Sequence, residues 1–208
     1  MNSAKSIYII LTDTGTWLSR MIGWYTGKSM NHASIALDSG LHDVYSFGRK
    51  MPRNPFIGGF VRENMRGALF LNDKRSTACA IYRCDVSPSQ WKKIRLFIHK
   101  IEEQEQRYTF NMLGLFSIAA GVEWNRERAY FCSQFVASAL EAGGVKLTDK
   151  PASLTAPHDY ADSSQARLIY EGSLDVYLNS AAAHGTLPAT GTARTMFPTA
   201  GSVNFNGL

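Results

Sequence analysis

Two residues of this chain have the types and settings that nucleophilic catalysis needs, and the first is a cysteine at the start of a predicted helix. Cys132 lies in the segment YFCSQF at 130–135. In the first turn of a helix the backbone N–H groups lack helical partners and the helix dipole is positive, so a thiolate there is stabilised. The same N–H groups can hold the oxyanion of a tetrahedral intermediate. A cysteine at a helix start is also often packed and inert, so a partner is needed to decide between the two interpretations.

The second residue is a histidine at the start of a predicted strand. His32 opens the alternating segment HASIALD, and its neighbours Ala33 and Ser34 are small enough to leave room for an imidazole to reach a thiolate. A cysteine on a helix and a histidine on a strand form the arrangement that a thiolate–imidazolium pair requires. We therefore predict Cys132 as the nucleophile and His32 as the base of an enzyme that needs no cofactor.

The elements that must position this pair are predicted from hydrophobic periodicity and from capping residues. The predicted strands are 6–11, 32–38, 44–47, 67–71, 78–86 and 167–170. The predicted helices are 14–25, one that begins after Ser87, and 131–142, and the type of the apolar stretch 108–124 is left open. Segment 48–66 is rich in Gly, Pro, Arg and Asn, which predicts a long loop. The pattern indicates an α+β fold, with a mainly antiparallel sheet packed against the helix that carries Cys132.

The composition of the chain is that of a globular protein. The chain has 208 residues, 45% hydrophobic and 19% charged, with a net charge of +5, which is an ordinary globular balance. Its basic residues do not form a run, so nucleic acid is not an expected partner, although an anionic polymer or membrane surface could be attracted. No segment reads as a signal peptide or as a transmembrane helix, so we expect a cytoplasmic protein. We predict one domain at 1–178 and a flexible tail at 179–208, where Arg194 is the one charged residue.

The remaining cysteines and histidines predict no second site. Three cysteines with no disulfide pattern indicate reduced thiols. Cys79 and Cys84 are five apart on one predicted strand, which places them on opposite faces as buried structural thiols. The other histidines show no ligand spacing with the cysteines, so a zinc site is not expected.

Three segments together resemble a known family. NHASIALD at 31–38, YSFGR at 45–49 and FCSQFV at 131–136 are similar to the circularly permuted members of the NlpC-type papain-like superfamily, the YiiX-like permuted papain-like amidase group. In the unpermuted relatives the Cys helix precedes the His strand, whereas here His32 comes 100 residues before Cys132. The resemblance covers about residues 5 to 170 and implies the papain-like fold in its permuted order.

The resemblance also implies a third polar residue, on the strand after the His strand, that orients the imidazole. In this chain that position is Ser46. A serine orients an imidazole less well than the His, Asn, Gln or acid that is usual there, so Glu63 and Asp159 are alternatives for the role.

The activity that the resemblance implies is acyl transfer to water by a cysteine hydrolase of the amidase or peptidase type. The implied substrates carry an amide or ester: peptides or isopeptides, cell-wall cross-links or lipid-type acyl groups. Two alternatives stay open at this point. One is a lipid-type acyltransferase of the same superfamily, and the other is a non-catalytic binding module that keeps the fold. A membrane-binding segment would favour the first, and loss of the Cys–His pair would favour the second.

Overall fold

The computed structural model describes residues 4–13, 30–51, 54–67, 71–72, 75–111, 114, 121–123 and 126–184. The predicted helix at 14–25, the predicted tail beyond position 184, and much of the stretch 108–124 lie outside these residues.

A six-stranded antiparallel sheet forms the centre of the described fold. Its strands are β1 (Lys5–Thr12), β2 (His32–Ala36), β3 (Val44–Met51), β4 (Asn54–Arg62), β7 (Ala78–Val86) and β10 (Arg167–Ser173). Their order across the sheet is β10-β7-β1-β2-β3-β4, and all neighbours are antiparallel. Two small pairs complete the strands: β5 (Leu71–Asn72) lies antiparallel to β6 (Arg75–Ser76), and β8 (Thr109–Phe110) lies parallel to β9 (Ala129–Tyr130).

Helices cover both faces of the sheet. They are α1 (Pro88–Glu102), α2 (Cys132–Ala142) and α3 (Leu174–His184), and short 3-10 turns lie at Glu105–Arg107, Ala152–Leu154 and Pro157–Tyr160. Residues of α1 and α2 share one core with alternate residues of β1, whose other residues pack with α3 in a second core. This alternation is the period of two that a strand between two layers requires. The predicted α+β class and mainly antiparallel sheet are confirmed.

Helix α1 begins where its capping residues predict. Ser87 caps the helix: its hydroxyl accepts from the Gln90 N–H at 3.2 Å, and the Gln90 side chain accepts from the Ser87 N–H at 2.9 Å. Pro88 takes the first helical position, where no N–H is needed. The buried residues Ile94, Ile98 and Ile101 recur at steps of three and four and fix the helix on the sheet.

The long loop predicted at 48–66 is wrong, because β3 continues to Met51 and β4 fills most of the remainder. Glycine favours loops in general, but Gly58 allows close packing within a strand. A Cβ at Gly58 would lie 2.7 Å from both the Gly48 carbonyl oxygen and Phe110 Cβ, so only glycine lets the β8 segment approach β4. Of the strand predicted at 67–71, Gly67 closes a turn with Asn64, Leu71 begins the two-residue strand β5, and positions 68–70 lie outside the described residues.

The C-terminal elements extend further than predicted. Strand β10 runs to Ser173 and leads directly into α3, whose residues Leu174, Tyr177 and Leu178 are buried in the second core. Helix α3 therefore crosses position 178, where the sequence placed the boundary between domain and tail. No helix in the described part of the chain is long and apolar enough to cross a membrane.

Candidate active site

Cys132 is the first residue of α2, as its sequence context predicts. Phe131 is the N-cap residue, with an extended backbone and no capping side chain. The first helical hydrogen bond runs from the Phe135 N–H to the Phe131 carbonyl at 3.0 Å, so the N–H groups of the first turn point to the start of the helix without helical partners. Cys132 is 5% exposed, and its sulfur accepts a hydrogen bond from the Ser133 N–H.

The sulfur meets the sheet where the β2–β3 ladder is open. Strand β2 pairs with β1 along its whole length, from His32 to Ala36, but with β3 only at Ile35 and Ala36. In the unpaired part, the Ala33 N–H donates to the Cys132 sulfur. The opening of the ladder thus supplies a backbone donor that a continuous sheet would have used internally.

His32 lies between the thiol and a carboxylate. Its Nε2 atom is 2.7 Å from Glu63 Oε1, and the imidazole is hydrogen-bonded to the Cys132 thiol. Because Glu63 engages Nε2, Nδ1 is the ring nitrogen left for the sulfur. The imidazole is 16% exposed. The described structure therefore brings the predicted nucleophile and base into direct contact and adds a carboxylate behind the base.

Glu63 directly follows β4 and is held by two serine hydroxyls. Ser34 donates to Oε2 at 3.0 Å, and Ser46 donates to Oε1, the oxygen that also bonds His32. The Glu63 backbone N–H donates to the Val44 carbonyl at 2.8 Å, which fixes the residue beside β3. Glu63 is only 8% exposed, so these bonds replace the water that a carboxylate would otherwise bind.

The charges of these three groups stabilise one another. Burial alone would lower the pKa of the His32 imidazole, but the charge of Glu63 and the contact with Cys132 outweigh it and raise that pKa to about 10. Burial opposes ionisation of the Cys132 thiol, yet the hydrogen bond and charge of His32, with the two backbone N–H donors, lower its pKa. The Glu63 carboxyl is likewise buried, and His32 with the two serines lowers its pKa. At neutral pH the site therefore holds an imidazolium and a carboxylate, and the thiol beside them ionises more readily than an ordinary thiol.

The structure places the three candidates for the orienting residue differently. Ser46 contacts Glu63 and reaches the imidazole only through that carboxylate. Asp159 lies elsewhere: it accepts from Lys150 Nζ and from the Ala156 N–H, both at 2.8 Å, and so caps a 3-10 turn. Glu63 is the candidate whose carboxylate lies against His32 Nε2, and Ser46 donates to the same carboxylate oxygen. Ser34 was not predicted, although its position two residues after His32 puts both on one face of β2.

A hydroxyl network fixes the first turn of α2 against the segment that follows it. Tyr160 is fully buried, and its hydroxyl donates to the Ser133 carbonyl at 2.7 Å and accepts from the Ala137 N–H. The Ser133 hydroxyl donates to the Thr155 carbonyl at 2.7 Å. These bonds hold the turn that carries Cys132 at two points.

The Cε1 edge of the His32 imidazole faces Gly48, which has no side chain to cover it. A Cβ at Gly48 would lie 3.8 Å from His32 Cε1 and 3.9 Å from Ser46 Oγ, at ordinary contact distance. Any side chain at this position would begin to cover the ring.

The other two cysteines differ from Cys132 in their electrostatic setting. Cys79 and Cys84 are buried free thiols, one in each core, as predicted for structural residues on opposite faces of a strand. Burial raises the pKa of Cys79 to about 12 and also raises that of Cys84. Both are therefore protonated at neutral pH, whereas the pKa of Cys132 is shifted in the opposite direction.

No group of three or more His, Cys, Asp or Glu residues within the described ranges could hold a metal ion. Comparison of the sequence with models of known protein families finds no match, and comparison with curated proteins finds none either.

Proposed function

We propose that this chain is a cysteine hydrolase of the amidase or peptidase type, with Cys132 as nucleophile, His32 as acid and base, and Glu63 as the residue that orients His32. The observation that carries the proposal is that His32 contacts both the Cys132 thiol and the Glu63 carboxylate. A carboxylate, an imidazole and a thiol in this order have the geometry of a nucleophile, its base and the group that orients the base.

The first half of the proposed reaction forms a thioester. The Cys132 thiolate attacks the carbonyl carbon of an amide or ester, and the developing oxyanion accepts hydrogen bonds from N–H groups of the first turn of α2. The His32 imidazolium then gives its proton to the leaving nitrogen or oxygen. The bond between that atom and the carbonyl carbon breaks, and the acyl group stays on Sγ.

The second half hydrolyses the thioester. Neutral His32 takes a proton from water as the water oxygen attacks the thioester carbonyl, and Glu63 stabilises the imidazolium that forms. The C–S bond breaks, the carboxylic acid leaves, and the thiolate–imidazolium pair is restored. The open edge of His32 beside Gly48 supports an approach of substrate from that side.

We further propose that the chain is a permuted papain-like protein of the NlpC type. The support is the order of its parts, with the His strand before the Cys helix, and the packing of that helix on a mainly antiparallel sheet. Peptide, cell-wall and lipid-type acyl groups are the substrate classes that this proposal implies.

Alkylation with iodoacetamide between pH 5 and 9 tests the nucleophile and base, because only the thiolate reacts. Mapping the modified residue by mass spectrometry uses Cys79 and Cys84 as internal controls. We expect Cys132 to react first, with an apparent pKa below the ordinary thiol value of about 8.5, and His32→Ala to raise that pKa. Equal reactivity of all three cysteines, or an unchanged profile in His32→Ala, would falsify the thiolate–imidazolium pair.

A panel of amide and ester substrates then tests the activity. Release of a free acid that depends on Cys132 supports a hydrolase. Transfer of the acyl group to an added alcohol or amine in place of water identifies an acyltransferase, and a reactive thiol with no turnover of any acyl compound contradicts the proposed enzyme.

A further inference from the structure

The solvent side of α1 combines an exposed leucine with unpaired cations. Ile94, Ile98 and Ile101 hold the opposite side of this helix in the core, so its orientation on the sheet is fixed. At 100° per residue, Leu96 points directly away from the middle of that buried stripe. Leu96 is 66% exposed, the largest exposed fraction among the large hydrophobic side chains of the described residues.

Three lysines surround Leu96 on the helix surface. Lys92 and Lys93 precede it by four and three residues, and Lys100 follows it by four, so all three are its surface neighbours. All three are exposed, and none of the ion pairs found in the described ranges involves them. Two carboxylates, Glu102 and Glu103, lie at the end of the helix, 3.1 Å and 3.9 Å from the ring nitrogens of His99, and they are fewer than the three lysines.

A half-buried indole lies to one side of this surface and not on it. Trp91 comes five residues before Leu96 and is therefore about 140° from it around the helix, with Lys5 Nζ 5.3 Å and the Arg95 guanidinium carbon 5.6 Å from its ring centre. The surface centred on Leu96 thus has the three lysines as its neighbours and is positive.

We propose that this side of α1 docks on an anionic lipid bilayer. Leu96 enters the interfacial layer, and Lys92, Lys93 and Lys100 lie along the surface with their ammonium groups on lipid phosphates. A soluble polyanion would pair with the lysines but leave Leu96 in water, whereas a bilayer accepts both groups. The convex side of a helix also contacts a plane more readily than it fills a groove. The proposal depends on α1 alone and not on the chemistry of Cys132.

Co-sedimentation of the full chain with vesicles tests the docking at low ionic strength. One set of vesicles is phosphatidylcholine alone, and in the other a quarter of the lipid is phosphatidylglycerol. We expect binding to the second set only, and loss of that binding in high salt. No binding to phosphatidylglycerol vesicles, or equal binding to both sets, contradicts the proposal.

Substitutions on α1 separate the two contributions. Lys92→Gln with Lys93→Gln should weaken binding about twenty-five-fold, at about five-fold per lysine. Leu96→Gln should weaken it about ten-fold, with Leu96→Ala as a second variant that retains the helix. If both Leu96 variants bind as the wild type does, the surface attracts charge alone and the bilayer assignment is wrong.

A matched control lies on β10, where Arg167 and Leu168 are an exposed cation and an exposed apolar residue away from α1. Arg167→Gln with Leu168→Gln should leave vesicle binding unchanged. A loss as large as that of the α1 variants would show that binding follows net charge and exposed apolar area in general, and would overturn the assignment to α1. Far-UV circular dichroism confirms that each variant is folded.

Discussion

Replacing Glu63 by glutamine tests the electrostatic account of the site. Glu63→Gln keeps the size of the side chain and one accepting oxygen for Ser46 and His32, but it removes the charge 2.7 Å from His32 Nε2 and places a donating NH2 opposite Ser34. An opposite charge at such a distance moves a pKa by about 1 to 3 units, and each unit corresponds to about 1.4 kcal/mol. Since the pKa of His32 is raised to about 10, we expect that of the variant to fall by about 1 to 3 units.

The pKa of His32 is measurable by NMR titration of its ring Cε1–H resonance, assigned by its loss in His32→Ala. The His32 pKa is the upper limit of the pH range in which the thiolate and the imidazolium coexist. A lower His32 pKa therefore moves this upper limit to lower pH. Hydrolysis in Glu63→Gln should therefore decline at lower pH than in the wild type, because His32 must be protonated to release the leaving group.

Asp159→Asn is the matched control, since Asp159 is the alternative carboxylate and bonds Lys150 and Ala156 in place of His32. Its His32 titration should coincide with that of the wild type. An unchanged titration in Glu63→Gln would refute the claim that this carboxylate holds the proton on His32. A shift of equal size in Asp159→Asn would refute its specificity.

Three further predictions concern the bonds that support the site and their dependence on pH. Ser34→Ala and Ser46→Ala each remove a donor from the buried carboxylate, and each should lower the free energy of unfolding by about 1 to 3 kcal/mol in urea denaturation; a double variant no less stable than the wild type contradicts this. Tyr160→Phe should cost about 1 to 3 kcal/mol and slow alkylation of Cys132, because the first turn of α2 loses its hydroxyl bridge; unchanged urea midpoint and alkylation rate would count against the bridge. The stability that protonated His32 contributes declines from pH 6.5, its unfolded pKa, to about 10. The stability that the Cys132 thiolate contributes instead grows up to the unfolded thiol pKa of about 8.5, so the two trends oppose each other. Unfolding free energy should therefore fall more steeply with pH in Cys132→Ser than in the wild type between these values, and parallel curves would contradict the pairing.

The parts of the fold that the sequence predicts are those with local signals. Strand β1 is a short run rich in β-branched and aromatic residues, and α1 has a serine cap, a proline at its first position and isoleucines at helical spacing. Cys132 and His32 were predicted because each begins a regular element. Each signal of this kind lies within about ten residues of sequence, which is the range over which periodicity and capping act.

The parts that the sequence leaves open depend on distant contacts. Strand β4 contains Gly58, whose missing side chain leaves room for Phe110 of the distant β8 segment. The β4 sequence itself contains no signal of that contact. Glu63 directly follows this strand. Because the sequence predicts a loop in place of β4, it also predicts Glu63 as an ordinary loop carboxylate. Its role follows from the convergence of Ser34, Ser46 and His32 on one carboxylate, which is a property of the sheet and not of any single segment.

The distance along the chain between the reacting residues has a consequence for folding. Cys132 lies 100 positions after His32, so their contact forms only when α2 has packed on the assembled sheet. Contacts between such distant segments carry a large loop-closure cost and slow folding. Until that step the thiol has the pKa of an exposed cysteine, about 8.5, and is mostly protonated at neutral pH. A nascent or partly folded chain thus carries an ordinary thiol, and the proposed pairing with His32 predicts that faster alkylation of Cys132 begins when α2 packs on the sheet.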